Sequence, residues 1–194
     1  QGLYDGEGAV DTYLFTATDG TSLTVFIFIT GTNDAAVIAG DAIGAVTEDA
    51  ATPTLSDTGT LTISDDDTGE DAFQTTGITA SAGALGSLSI TTAGVWTYNV
   101  ANADVQYLKG GETKVETFTV LSADDTTHDV VVTITGTNDN PTLTAGSISA
   151  DEDALEIGIN VNAATSNLLT AATDIDDLDS SLVIGTVEGA AGSV

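Results

Sequence analysis

The chain contains no cysteine, so no disulfide or thiolate metal site is possible. In a secreted protein that leaves core packing and metal ions to staple the fold. Arginine is also absent, and the only cations are Lys109 and Lys114, against 30 acidic residues. The formal net charge of −28 makes nucleic acid and anionic lipid poor partners. No apolar run approaches the ~20 residues of a membrane helix, which argues against direct membrane insertion. No signal peptide opens the chain, and a piece of a longer protein need not carry one.

The acidic surplus asks for an explanation of its own. Self-repulsion at this density costs stability unless something neutralises it. A divalent hard cation is the natural counterion for crowded carboxylates. The plainer alternative is an acidic surface kept for solubility in saline surroundings. The hydrophobic fraction of 41% suffices for packed cores and argues against disorder.

The hexapeptide ITGTND occurs twice, at residues 29–34 and 134–139, an offset of 105 residues. That is the size of one small β domain, so the chain reads as part of a tandem array. Residues 1–34 align with 106–139 without a gap, and 15 of the 34 pairs are identical, among them Gln1 with Gln106 and Glu7 with Glu112. Glu48-Asp49-Ala50 corresponds to Glu152-Asp153-Ala154 with the offset reduced by one. We therefore divide the chain into the end of one repeat (1–33), a whole repeat (34–138) and the start of a third (139–194). Beginning and stopping in mid-repeat, it is expected to come from a much longer protein.

Thr, Val, Ile and Gly dominate, and apolar residues alternate with period two, the signature of half-buried strands. Leu23, Val25, Ile27 and Ile29 share one face, matched by His128, Val130, Val132 and Ile134, while Phe26 and Phe28 lie opposite. A preceding strand over 115–122 turns Phe118 and Val120 inward. Asp19-Gly20 and Asp124-Asp125 mark the hairpin turns between these strands. Residues 88–90 and 96–100 form a second hairpin around Ala93-Gly94, and 61–63 a further short strand. The whole repeat has room for about seven short strands, which predicts an all-β, Ig-like or cadherin-like sandwich. Trp96 reads as a core plug, with a sugar-stacking platform as the alternative; Tyr98 and Val100 share its face.

The acidic residues gather in four places: the linkers Asn33-Asp34 and Asn138-Asp139, the pairs Glu48-Asp49 and Glu152-Asp153, the runs 65–70 and 174–179, and the turn aspartates Asp19 and Asp124. Calcium takes about six to eight oxygens from carboxylates, carbonyls and water. In an Asp-x-Asp on extended backbone the two carboxylates point the same way, and they repel each other without a cation. We therefore read Asp65, Asp67, Asp174 and Asp176 as calcium ligands, and Asp66 and Asp177 as solvated turn residues. Neither run fits an EF-hand loop, because Gly69 and Leu178 stand where its fifth position needs an oxygen donor. Any site must draw on distant segments.

Taken in order, ITGTNDAA, VTEDA, GTLTISDDDTGEDAF, GVWTYNV, VQYLKGGET and VTITGTNDNP resemble the VCBS repeat of large bacterial surface proteins and RTX-type adhesins, over residues 1–141. Residues 139–194, with NDNP, DEDA and NLLTAATDIDDLDSSLVIGTV, are similar to the related cadherin-like repeat. Leu178 and Asp179 depart from that family's usual Asp-Gly-Asp continuation. The resemblance implies calcium between successive domains. At the second junction it points to Glu48, Asp49, Asn138, Asp139, Asp174 and Asp176. At the first it points to Asn33, Asp34, Asp65 and Asp67. The turn aspartates Asp19 and Asp124 are weaker candidates, since Asp-Gly hairpins need no metal.

No enzyme is expected. His128 aligns with Leu23, which suits a strand-end residue rather than a catalytic base. With no cysteine and no second histidine, most nucleophilic machinery is missing. Paired carboxylates can hydrolyse glycosides, but these fall in turns and linkers, and aromatics for a sugar cleft stand at 5%. The sequence thus reads as a calcium-stiffened extracellular spacer at a bacterial cell surface, exported by a type I system. Its partners would be neighbouring repeats, with surface glycan or protein bound through other domains. The alternatives are an adhesive module that binds glycan or protein itself, and an accessory module of a secreted hydrolase.

Overall fold

A computed structural model describes residues 2–48, 52–143 and 172–176. They form strands, with one short 3-10 turn at Asn102–Asp104 as the helical exception among the described residues. Strands β1 (Gly8–Thr16) and β2 (Ser22–Thr30) pair as an antiparallel hairpin. The next eight strands are β3 (Val37–Gly40), β4 (Ile43–Thr47), β5 (Thr54–Ser64), β6 (Thr79–Ala80), β7 (Ser87–Ile90), β8 (Val95–Ala101), β9 (Thr113–Leu121) and β10 (Thr127–Thr135). They build two sheets, ordered β3-β5-β8-β7 and β4-β10-β9-β6. The first is antiparallel throughout; in the second, β4 runs parallel to β10. Two short strands complete the order, β11 (Thr142–Leu143) and β12 (Ala172–Thr173), paired antiparallel.

The core lies between the two four-stranded sheets. Leu55, Leu61, Leu88, Ile90, Trp96, Tyr98 and Val100 meet Val46, Phe118, Val120, Val130, Val132 and Ile134. Alternation puts them there: in β10 the even-numbered residues 130, 132 and 134 are fully buried and their neighbours are not. Trp96 is wholly buried, and its indole N–H donates to Asp41 O at 2.6 Å. It is thus a core plug with its one polar atom satisfied. The ring lies over Gly59, where a Cβ would sit 2.4 Å from Trp96 Cζ2.

Two features depart from the sequence expectation. The short strand expected over 61–63 is the end of β5, which runs for 11 residues. Asp57 and Gly59 break the apolar alternation there, but each has a tertiary reason to be present. Gly59 makes room for Trp96, and Asp57 accepts from the Ala45 N–H at 2.7 Å, tying β5 to β4. Glu116 is the second. It sits on the core face of β9, fully buried, and accepts from Tyr98 Oη (2.9 Å), Leu85 N (2.7 Å) and Gly86 N (3.1 Å). Burial, and then this carboxylate, push the Tyr98 phenol far above its ordinary range.

Candidate metal centres at the linkers

Each linker begins where a last strand ends. Glycine is required there by close approach: a Cβ on Gly31 would meet the Tyr4 carbonyl oxygen at 2.4 Å, and one on Gly136 the Leu108 and Lys109 carbonyl oxygens at 2.5 Å. The Gly of ITGTND is therefore fixed by packing. Beyond it, the Asn33 amide donates to Asp34 O (3.2 Å) and the Asn138 amide to Asp139 O (2.8 Å). Both asparagine side chains are exposed, with their amides engaged inside the linker.

The aspartates behave differently, and identically in the two copies. The Asp34 N–H donates to Asp67 Oδ2 at 2.8 Å, and the Asp67 N–H to Asp65 Oδ1 at 2.8 Å. The Asp139 N–H donates to Asp176 Oδ2 at 3.3 Å, and the Asp176 N–H to Asp174 Oδ1 at 3.4 Å. An Asp-x-Asp in the next segment thus clasps each linker. Asp67 and Asp176 are both buried.

At the first linker the loop after β5 adds Glu70, brought back by a turn in which Gly69 takes φ +89°. Asp65, Asp67 and Glu70 each offer an oxygen, all within 4.8 Å of one another. Buried Asp65 Oδ2 and Glu70 Oε2 have no hydrogen-bond partner. Burial, then the charges of Asp67, Asp65, Asp124 and Asp5, push the Glu70 carboxyl up. The segment before the linker reaches the same loop, because Thr68 Oγ1 donates to Gly2 O at 2.6 Å.

At the second linker Glu48 is buried at the end of β4. Gln106 Nε2 donates to its Oε1 (2.7 Å) and the Thr137 N–H to its Oε2 (3.1 Å). Burial, with Asp139 and Asp176 close by, pushes its carboxyl up despite the Thr137 hydrogen bond. Asp139 Oδ2 and Asp176 Oδ1 are buried without a partner. A hydrogen bond to the Asp174 carboxyl, backbone donors and the charge of Lys109 hold Asp176 low against its burial.

Of the sequence candidates, the structure thus gathers Asp34, Asp65 and Asp67 at one linker and Glu48, Asp139, Asp174 and Asp176 at the other. Asn33 and Asn138 flank these groups. Asp49 lies outside the described residues, as do Glu152, Asp153, Asp177 and Asp179. Sequence reasoning places Glu70 in the acidic run without counting it as a ligand, and it misses the hold of Gln106 on Glu48. The identity of Gln1 with Gln106 is the available signal. The turn aspartates serve their own hairpins. Asp19 accepts from the Thr21 N–H at 2.9 Å. Asp124 accepts from Ser122 Oγ, Thr126 Oγ1 (2.7 Å) and the Ala36 N–H (3.1 Å). Burial opposes the Asp124 charge, but these donors outweigh it and hold the carboxyl well below its usual range.

Hard oxygen donors with unpartnered buried atoms are what a divalent cation needs, so the residues present fit such an ion. The fold and the repeated linkers define a β-sandwich repeat module. The chain belongs to the bacterial cadherin-like domain family, whose model matches residues 33–136. It is similar to the crystal structure of protocadherin gamma C5 EC1-3, at 14% identity and a TM-score of 0.39 over 71% of this chain. It spans 46% of the length of that chain. No curated protein matches. Cadherin-like domains are extracellular, adhesion-type repeat modules that generally bind calcium. Among the described residues, no helix is long and apolar enough to cross a membrane.

Proposed function

We propose that the chain is a stretch of non-enzymatic, calcium-stiffened spacer repeats from a large bacterial surface adhesin of the VCBS and RTX type. A type I system would deliver it to the cell surface. One observation carries the reading: the same Asp-x-Asp clasp recurs at both linkers and leaves buried carboxylate oxygens unpartnered. Asp34, Asp65, Asp67 and Glu70 would hold the ion at the first linker, and Glu48, Asp139, Asp174 and Asp176 at the second. Bound there, calcium would supply the positive charge that lets these carboxylates stay close. At the second linker the ligands come from the linker and from segments on either side of it, so coordination there would remove hinge freedom. Export agrees with the absence of cysteine, since the chain can stay unfolded in a calcium-poor cytoplasm and fold outside.

The test is thermal unfolding with calcium and then with chelator. Calcium is expected to raise the melting temperature by several degrees in the parent and much less in Asp67→Asn or Asp139→Ala. Equal melting temperatures with and without calcium would sink the proposal. A second reading, direct recognition of a glycan or protein, draws on Phe26 and Phe28, which are 57% and 78% exposed on β2. An accessory role beside a secreted catalytic domain would show in the full-length sequence, where further repeats favour the spacer.

A further inference from the structure

The turn between β9 and β10 does more than reverse the chain. Its backbone hydrogen bonds are those of the β1–β2 turn. The Ser122 N–H donates to Thr126 O (2.9 Å) and the Asp125 N–H to Ser122 O (3.1 Å), as the Ala17 N–H does to Thr21 O (2.8 Å) and the Gly20 N–H to Ala17 O (2.9 Å). Ala17 and Gly20 close the same turn without polar side chains, so closure does not require those of Ser122 and Asp125. Asp125 also takes φ +67°, where the first copy has Gly20 at φ +88°. Left-handed backbone disfavours a residue with a Cβ, and a residue kept there points to a role for its side chain. The Asp125 carboxylate accepts from Gln74 Nε2 at 2.7 Å, and the same amide donates to Ser122 O at 2.7 Å.

These bonds reach the loop that carries Glu70. The Ala123 N–H donates to Ala72 O (2.8 Å), the Gln74 N–H to Leu121 O (2.9 Å) and the Ala72 N–H to Glu70 O (2.8 Å). On its other side the turn holds the linker: Asp124 accepts from the Ala36 N–H at 3.1 Å, just beyond Asp34 in the chain. Segments 34–36 and 70–74 are thus fastened to one hairpin turn. We infer that this turn is a brace for the first linker's cation site, with Asp124, Asp125 and Gln74 as positioning residues for Asp34 and Glu70. The inference rests on the calcium reading above. Asp65 and Asp67 follow directly on β5, whereas Asp34 lies in a linker and Glu70 in a loop beyond Gly69. These last two are the ligands whose backbone needs outside support. Holding them beforehand removes ordering that binding would otherwise have to supply, and so raises affinity.

Calorimetric calcium titration of the 194-residue chain tests this, in an Asp176→Asn background that leaves the first linker's site to be read alone. Relative to that background, Asp125→Gly and Gln74→Ala should each weaken binding about two- to ten-fold, the range of a net hydrogen bond expressed as a binding constant. The double variant should lose no more than Gln74→Ala, because both cut one tether. Asp125→Asn should match the background, since it keeps the acceptor and tolerates left-handed backbone; it separates the tether from the charge. Asp125→Gly installs what the first copy already has at this turn, so it should melt close to the background in chelator and below it in calcium. The inference is overturned by coincident isotherms for the background, Asp125→Gly and Gln74→Ala, by Asp125→Asn binding as weakly as Asp125→Gly, or by equal melting losses with and without calcium. Each of those results leaves the functional reading standing. An unsubstituted chain that binds no calcium takes down that reading and this inference with it.

Discussion

At the scale of single residues, the acidic side chains of this chain do three different things. Glu116 is a core residue that fastens the 85–86 backbone to Tyr98. Asp124 ties the turn between β9 and β10 to the residue just before β3 through the Ala36 N–H. Asp65, Asp67 and Glu70 face one another with atoms left over. Composition alone cannot separate these roles, because all contribute equally to the net charge. The pH dependence can. Asp124 has a depressed carboxyl, so its stabilisation is present above its ordinary value of 3.8 and is lost as pH falls through the lower folded value. Asp124→Asn should therefore be about 1 kcal/mol less stable near neutral pH, the scale of one net hydrogen bond. The gap should close as the solution is acidified below 3.8. Urea melts at a series of pH values would show it, and a gap that stayed constant with pH would remove Asp124 from this role.

At the scale of elements, most strands are legible in the sequence because period two is imposed by burial on one face only. β10 shows the alternation cleanly, and its copy β2 preserves it at Val25, Ile27 and Ile29. β5 is only partly legible, because its interruptions answer to partners distant in sequence: Trp96 over Gly59, and Ala45 beside Asp57. Glu116 is invisible for the same reason, since an acid on a core face makes sense only once Tyr98 and the 85–86 backbone arrive. The linker ligands are the more readable part of the site, because repetition displays Asp-x-Asp twice at matching places. What spacing does not reveal is that Gln106 fastens Glu48. Gly59→Ala tests the β5 account. A methyl group 2.4 Å from the indole must displace it, and overpacking of this kind costs about 1–3 kcal/mol. Trp96 is the sole tryptophan, so its fluorescence reports this core directly. An unshifted emission and an unchanged urea midpoint would contradict the packing.

At the scale of the whole molecule, the described segments form a series in which each linker is held by the segment C-terminal to it. If the clasps close on calcium, the chain should lengthen and stiffen as they fill. Small-angle scattering is expected to give a larger maximum dimension in calcium than in chelator for the parent, with the difference much reduced in an Asp67→Asn, Asp176→Asn double variant. An identical profile in both conditions would leave the repeats flexibly joined.

The parallel pairing of β4 with β10 has a mechanical consequence. Residues 43–47 lie beside 131–135 and run in the same direction, so β4, which follows the short entry strand β3, and β10, through which the chain leaves, are joined side by side. Tension applied through the two linkers pulls these neighbours in opposite senses along their length. The ladder between them is then loaded in shear, and its hydrogen bonds share the force instead of unzipping one by one. A module wired in this way resists being drawn out at its own termini.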